Sequence, residues 1–216
     1  MKRPLLQIAL DHLDLYAALK SAELLAPYVD VLEAGTILCY AEGVQTVEHI
    51  RKNHPDHLIV ADLKAADAGS VLAEMVFSRG ANWMTVICCA PYPTMDSALQ
   101  TAKTYGGDIQ IELYGDWTFN QAERWLSLGI NQAIYHRGRD DQAAGKGWGS
   151  DDFNKIHRLI EMGFDVSVTG GLSPQDLHQF NQIPVKCFIA GRGLYGAESP
   201  VDAARDFQAA IKKEWQ

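Results

Sequence analysis

The stretch Leu58-Ile59-Val60-Ala61-Asp62-Leu63-Lys64-Ala65-Ala66-Asp67 runs from a short apolar segment into two carboxylates and an ammonium. It reads as a buried strand with a charged tip. Side chains alternate along a strand, which puts Asp62 and Lys64 on one face. An acid and a lysine held together at a strand tip are costly unless they pair or do chemistry. A lysine between aspartates keeps its proton, because neighbouring negative charge raises its pKa. Such an ammonium suits the stabilisation of a transient anion and is poorly suited to forming a Schiff base. A plain strand-end salt bridge would give the same spacing, so the rest of the chain decides.

Strand-like runs recur on both sides of this one: Leu5 to Asp11, Val29 to Glu33, Leu58 to Asp62, Trp83 to Cys88, Ile109 to Glu112, Ala133 to His136, Val166 to Thr169 and Cys187 to Ala190. The segments between them carry apolar residues at helical period, as in Leu13 to Leu25, Val44 to Ile50, Val71 to Phe77 and Phe153 to Ile160. Alternating strand and helix implies a parallel sheet. Eight such units predict an α/β fold, a single (β/α)8 TIM barrel over residues 1–216. Dividing 216 residues by eight units gives 27 residues each, a compact barrel. An open doubly wound sheet is the alternative, but no G-x-G-x-x-G follows the first strand. The longest irregular piece is the glycine-dense Gly138 to Gly149.

Bulk properties narrow the function. A net charge of -8 argues against a general nucleic-acid or anionic-membrane surface. A phosphorylated small molecule remains compatible, since it needs only a few local donors. No apolar stretch approaches membrane-spanning length, and Met1-Lys2-Arg3-Pro4 does not open a signal peptide. Cys39, Cys88, Cys89 and Cys187 have no CxxC spacing and lie in or near apolar runs. They read as reduced, mostly buried thiols of a cytoplasmic protein, with no zinc site.

Active sites of such barrels lie at the carboxyl ends of the strands. The tips here carry Asp11, Glu33, Asp62 with Lys64, Glu112, His136, Thr169-Gly170-Gly171 and Gly191-Arg192. The fourth tip, Cys88-Cys89-Ala90, reads as packing. Glu33 and Asp62 on adjacent strands could share Mg²⁺, which keeps several waters and prefers oxygen ligands. The other reading makes one of them only a partner of Lys64. Thr169-Gly170-Gly171-Leu172-Ser173 and Ala190-Gly191-Arg192-Gly193 follow neighbouring strands. Two glycine loops, one with arginine, predict a phosphate site. His136, near Glu112, is a general-acid candidate. Arg139 is placed to reach the substrate, whereas Arg137 reads as a solvated charge. Trp148 is expected to line the mouth, and Tyr40 to lie in a loop.

Asp62-x-Lys64-x-x-Asp67 resembles the D-x-K-x-x-D motif of the orotidine 5'-phosphate decarboxylase superfamily. Within it the chain looks like the 3-keto-L-gulonate 6-phosphate decarboxylases. Ala9-Leu10-Asp11, Glu33-Ala34-Gly35-Thr36, Gln110-Ile111-Glu112-Leu113, Tyr135-His136-Arg137-Gly138-Arg139-Asp140, Thr169-Gly170-Gly171 and Ile189-Ala190-Gly191-Arg192 extend the likeness almost end to end. The resemblance implies a homodimer with shared active sites, Asp67 reaching into the partner's site. It also implies Mg²⁺ on Glu33 and Asp62. The implied reaction, in L-ascorbate catabolism, converts 3-keto-L-gulonate 6-phosphate to L-xylulose 5-phosphate and CO₂ through an enediolate. Lys64 would then hold the developing charge, and His136, with Glu112 and a water oriented by Arg139, would return a proton. Asp11 and Asp67 would fix Lys64 and bind substrate hydroxyls, and Thr169, Gly171, Gly191 and Arg192 would complete the substrate site.

Three rivals follow from the same residues. A 3-hexulose-6-phosphate synthase captures formaldehyde, from the same kind of enediolate, but its pattern lacks the Arg139 equivalent. Orotidine 5'-phosphate decarboxylase itself needs no metal, and its pattern lacks Glu33 and His136. A non-catalytic sugar-phosphate binding barrel has no need of the full set of tip residues.

Overall fold

In the first strand, Leu6, Ile8 and Leu10 alternate with Leu5, Gln7 and Ala9, and the two sets enter different cores. The first set packs outward against helices. Ala9 lies inside a barrel with Ile134, Cys187 and Ile189. This computed structural model, which describes residues 2–215, closes eight strands in sequence order, with parallel pairing all round.

The elements are β1 (Leu5–Leu10), α1 (Leu15–Leu25), β2 (Val31–Ala34), α2 (Thr36–Glu42), α3 (Gln45–Asn53), β3 (Leu58–Ala65), α4 (Gly69–Phe77), β4 (Trp83–Ile87), α5 (Tyr92–Thr104) and β5 (Asp108–Leu113). They continue with α6 (Phe119–Ser127), β6 (Gln132–His136), α7 (Arg139–Ala143), α8 (Ser150–Glu161), β7 (Asp165–Thr169), a 3-10 turn (Pro174–Phe180), β8 (Cys187–Ala190), α9 (Arg192–Tyr195) and α10 (Pro200–Glu214). The expected barrel is present. Local chemistry starts several helices: Asp14 caps α1 through the Ala17 N–H, and Thr118 with Gln121 forms a capping box on α6.

Several expectations are corrected. Tyr40 lies in α2, not in a loop. The glycine-dense segment contains α7. Cys89 is exposed and Cys39 half-buried, so only Cys88 and Cys187 are fully packed thiols. No helix among the described residues is long and apolar enough to cross a membrane.

One departure from regular pairing matters for the site. Ala61 pairs with Met84 and Ala65 with Val86, so β3 carries two more residues than β4 over this interval. Lys64 takes up the irregularity with φ 46°, a left-handed conformation that non-glycine residues seldom adopt. Its N–H, lifted off the ladder, donates to Thr85 Oγ1 at 2.8 Å.

Candidate active site

A cavity of about 940 Å³ opens at the carboxyl ends of the strands. Asp11, Glu33, Asp62, Lys64, Glu112, His136, Arg139, Thr169, Gly171, Gly191 and Arg192 all line it. The tip residues expected to act together are therefore brought together. Asp67 is the exception: it is exposed in the loop after β3 and does not line this cavity.

Lys64 Nζ donates to Asp62 Oδ2 at 2.5 Å and to Thr36 Oγ1 at 2.9 Å, and lies 3.1 Å from Glu112 Oε2. Its partners are thus Asp62 and Glu112, not the pair of aspartates expected to fix it. Asp67 sits beyond the bulge, and the ion-pair partner of Asp11 is Arg139, at 3.9 Å. Burial works against the ammonium, but Asp62, Glu112 and Glu33 outweigh it and raise the Lys64 pKa. The side chain stays protonated, as the sequence predicts.

Burial pushes the Asp62 carboxyl up, and this is more than offset by Lys64 and by hydrogen bonds from Lys64, Thr36 and Thr85. The net result is a carboxylate below its usual range. Thr85 donates to Oδ1 and Thr36 to Oδ2, both at 2.6 Å. Glu33 has the opposite balance. Burial, then the charges of Asp62 and Asp11, push it well above the usual carboxylate range, although Gln7 donates a hydrogen bond to Oε2.

These two carboxylates are the residues that could hold a metal. Among the described residues no group of three or more His, Cys, Asp and Glu side chains closes around one point. Two neighbouring carboxylates would leave most of a cation's shell to water and substrate oxygens, as a hard cation such as Mg²⁺ prefers. The unfavourable ionisation of buried Glu33 beside Asp62 and Asp11 is what a divalent cation would relieve. The donor set therefore fits Mg²⁺.

Glu112 Oε1 lies 2.5 Å from His136 Nδ1, while His136 Nε2 lies 3.4 Å from the Tyr114 hydroxyl. Burial, then the Asp62 charge, raise the Glu112 pKa. Burial pushes the Tyr114 phenol up to about 12, so it remains a neutral donor. On the far side, Gly170 and Gly171 follow β7 with φ 118° and 60°, where glycine is needed. Gly191 and Arg192 open α9.

Arg137 is not a solvated charge. At the cavity wall it reaches across to the β7 loop, donating to Gly170 O, and its guanidinium lies over Trp148. Trp148 accordingly packs behind the site against Arg137 and Phe180 and does not line the mouth. Thr36, Thr85, Tyr114 and Gln7 are site residues that sequence reasoning missed. A glutamine inside the apolar run Leu5–Leu10 was an available signal for the last.

Residues 4–207 match the family model described as the Orotidine 5'-phosphate decarboxylase / HUMPS family. The chain belongs to that family. A 3-keto-L-gulonate-6-phosphate decarboxylase of Escherichia coli (strain K12) is 51% identical, over 100% of this chain and 98% of that protein. The KGPDC of Streptococcus mutans, solved as a ligand complex, has a TM-score of 0.98 at 50% identity, with both chains covered completely. A 3-hexulose-6-phosphate synthase structure matches with a TM-score of 0.90 at 31% identity, over 96% of this chain and 99% of that one. Membership in the orotidine 5'-phosphate decarboxylase family and full-length likeness to named carboxy-lyases bear out the expected enzyme class.

Proposed function

We propose that this chain decarboxylates 3-keto-L-gulonate 6-phosphate to L-xylulose 5-phosphate and CO₂ in the cytoplasm, within L-ascorbate catabolism. In this reading it is a homodimer with shared active sites that uses Mg²⁺ held by Glu33 and Asp62. The observation that carries the reading is Lys64, a protonated ammonium fixed between Asp62 and Glu112 inside the cavity.

Cleavage of the bond to the carboxylate sends its electron pair into the neighbouring ketone, leaving an enediolate and CO₂. Lys64 offers a fixed positive charge where that negative charge develops. Bound Mg²⁺ would supply further Lewis-acid stabilisation of the same oxygens. Glu112 orients His136, whose Nε2 then faces Tyr114 and the cavity for proton return. Arg139 holds the water that carries this proton, and Asp11 binds substrate hydroxyls. Thr169, Gly171, Gly191 and Arg192 hold the phosphate end, whose binding energy helps organise the reacting end.

Support for the dimer comes from the side of the barrel that carries Asp67. Leu13, Tyr16, Tyr40 and Val71, in the segments after β1, β2 and β3, are 77%, 78%, 85% and 59% exposed. Apolar exposure of this kind suits a second copy of the chain. Asp67, outside its own cavity, would then reach the partner's.

CO₂ release from 3-keto-L-gulonate 6-phosphate, with Mg²⁺ and then with EDTA, tests the proposal. Rapid release abolished by EDTA is expected. The likeness to 3-hexulose-6-phosphate synthase gives a second reading, which also forms an enediolate. No release in folded protein, with condensation of ribulose 5-phosphate and formaldehyde instead, would replace the first reading with the second.

A further inference from the structure

Arg137 lies between two residues assigned to proton return, His136 and Arg139, yet it serves the opposite end of the cavity. Its backbone N–H donates to Thr169 O at 3.1 Å. Its guanidinium donates twice to Gly170 O, at 3.0 and 2.6 Å, and once to Gly171 O at 3.3 Å. The face of the guanidinium is 4.9 Å from the Trp148 ring. A fork whose Nε–Nη2 edge is tied to the loop and whose carbon lies over an indole ring has lost much of its freedom.

We propose that Arg137 is a positioning residue for phosphate recognition, acting through the β7 loop; this rests on the proposed phosphate site. In a trans peptide the C=O and N–H point in opposite directions. Turning the carbonyls of Gly170 and Gly171 toward Arg137 turns the N–H groups of Gly171 and Leu172 the other way. Both of these residues line the cavity, and neither N–H donates a hydrogen bond among the described residues. Two backbone donors are thereby fixed in orientation before any ligand arrives, which lowers the ordering cost of binding an anion.

The close approach is built into the chain. A Cβ on Gly170 would fall 2.2 Å from Arg137 O and 2.7 Å from Arg137 Cβ. Only glycine lets the loop lie against Arg137. A lysine in place of Arg137 could not bridge both carbonyls and stack at once, because it carries a point charge and no planar fork.

The test is calorimetric titration of L-xylulose 5-phosphate into Mg²⁺-loaded wild type, Arg137→Ala, Arg137→Lys and Arg192→Ala. Charge-assisted bonds of this kind predict that Arg137→Ala weakens the sugar phosphate by about tenfold or more. Mg²⁺ affinity is expected to stay at the wild-type value, and added guanidinium to restore part of the loss. Arg192→Ala is expected to weaken the same ligand by direct loss of contact. Wild-type affinity in Arg137→Ala beside a weakened Arg192→Ala overturns the inference and leaves the phosphate site standing. Wild-type affinity in both overturns the phosphate site as well. If Arg137→Ala does not fold, Arg137→Lys decides: full affinity there removes the need for the fork.

Discussion

His136 Nδ1 sits 2.5 Å from Glu112 Oε1. This contact holds the ring so that Nε2 is turned toward the Tyr114 hydroxyl at the cavity wall. Removing the imidazole should therefore damage proton return more than loss of CO₂. His136→Asn is expected to lower kcat by about 10²-fold. NMR of product formed in D₂O should show deuterium at mixed stereochemistry. A single epimer from the variant would show that another group delivers the proton.

Lys64→Ala removes the side chain that holds a fixed positive charge between Asp62 and Glu112. Activity is expected to fall by about 10³-fold or more, since an electrostatic contact to the developing anion is lost. The melting temperature should fall too, because Asp62 is left as a buried unpaired charge. Turnover near wild type would remove Lys64 from the chemistry.

Asp67 lies outside its own cavity, which makes subunit complementation informative. Heterodimers of Asp67→Ala and Lys64→Ala subunits should hold one site with both residues intact. Some activity is expected from a mixture of two nearly inactive proteins. Absence of recovery in heterodimers verified by mass spectrometry would end the shared-site reading.

Glu33 is costly to ionise in the metal-free protein, chiefly through burial and then through the charges of Asp62 and Asp11. Glu33→Gln should raise the melting temperature measured in EDTA while abolishing the rise on adding Mg²⁺. An unchanged Mg²⁺ response in that variant would place the metal elsewhere.

Tyr135 donates to Asp152 Oδ1 at 2.7 Å, and burial followed by this bond raises its pKa above the ordinary phenol value. A raised folded pKa gives stability that is complete below the unfolded value and lost as pH climbs above it. Tyr135→Phe should melt lower than wild type at pH ~8, and the gap should narrow above pH ~10. A gap independent of pH would assign the loss to packing alone.

The barrel and most of the cavity lining are legible in the sequence because strand tips are periodic and polar tips interrupt apolar runs. Asp11, Glu33, Asp62, Glu112 and His136 each stand at such an interruption. Thr36 and Thr85 give no comparable signal, since a threonine at a helix start or in a strand is ordinary. The bulge at Lys64 has neither glycine nor proline to mark it. Arg137 escapes a sequence reading because its role depends on what the β7 loop does, and that contact joins residues 33 positions apart.

The bulge has a bearing on how such a barrel can diversify. Over Asp62 to Lys64 the chain leaves the ladder and rejoins it at Ala65. The sheet's register therefore does not dictate where the ammonium points. Mutations that reshape this outpouching need not shift any strand against its neighbours. A scaffold of this kind can try new reactions locally while its closure stays intact, and a synthase at 31% identity shares the whole architecture.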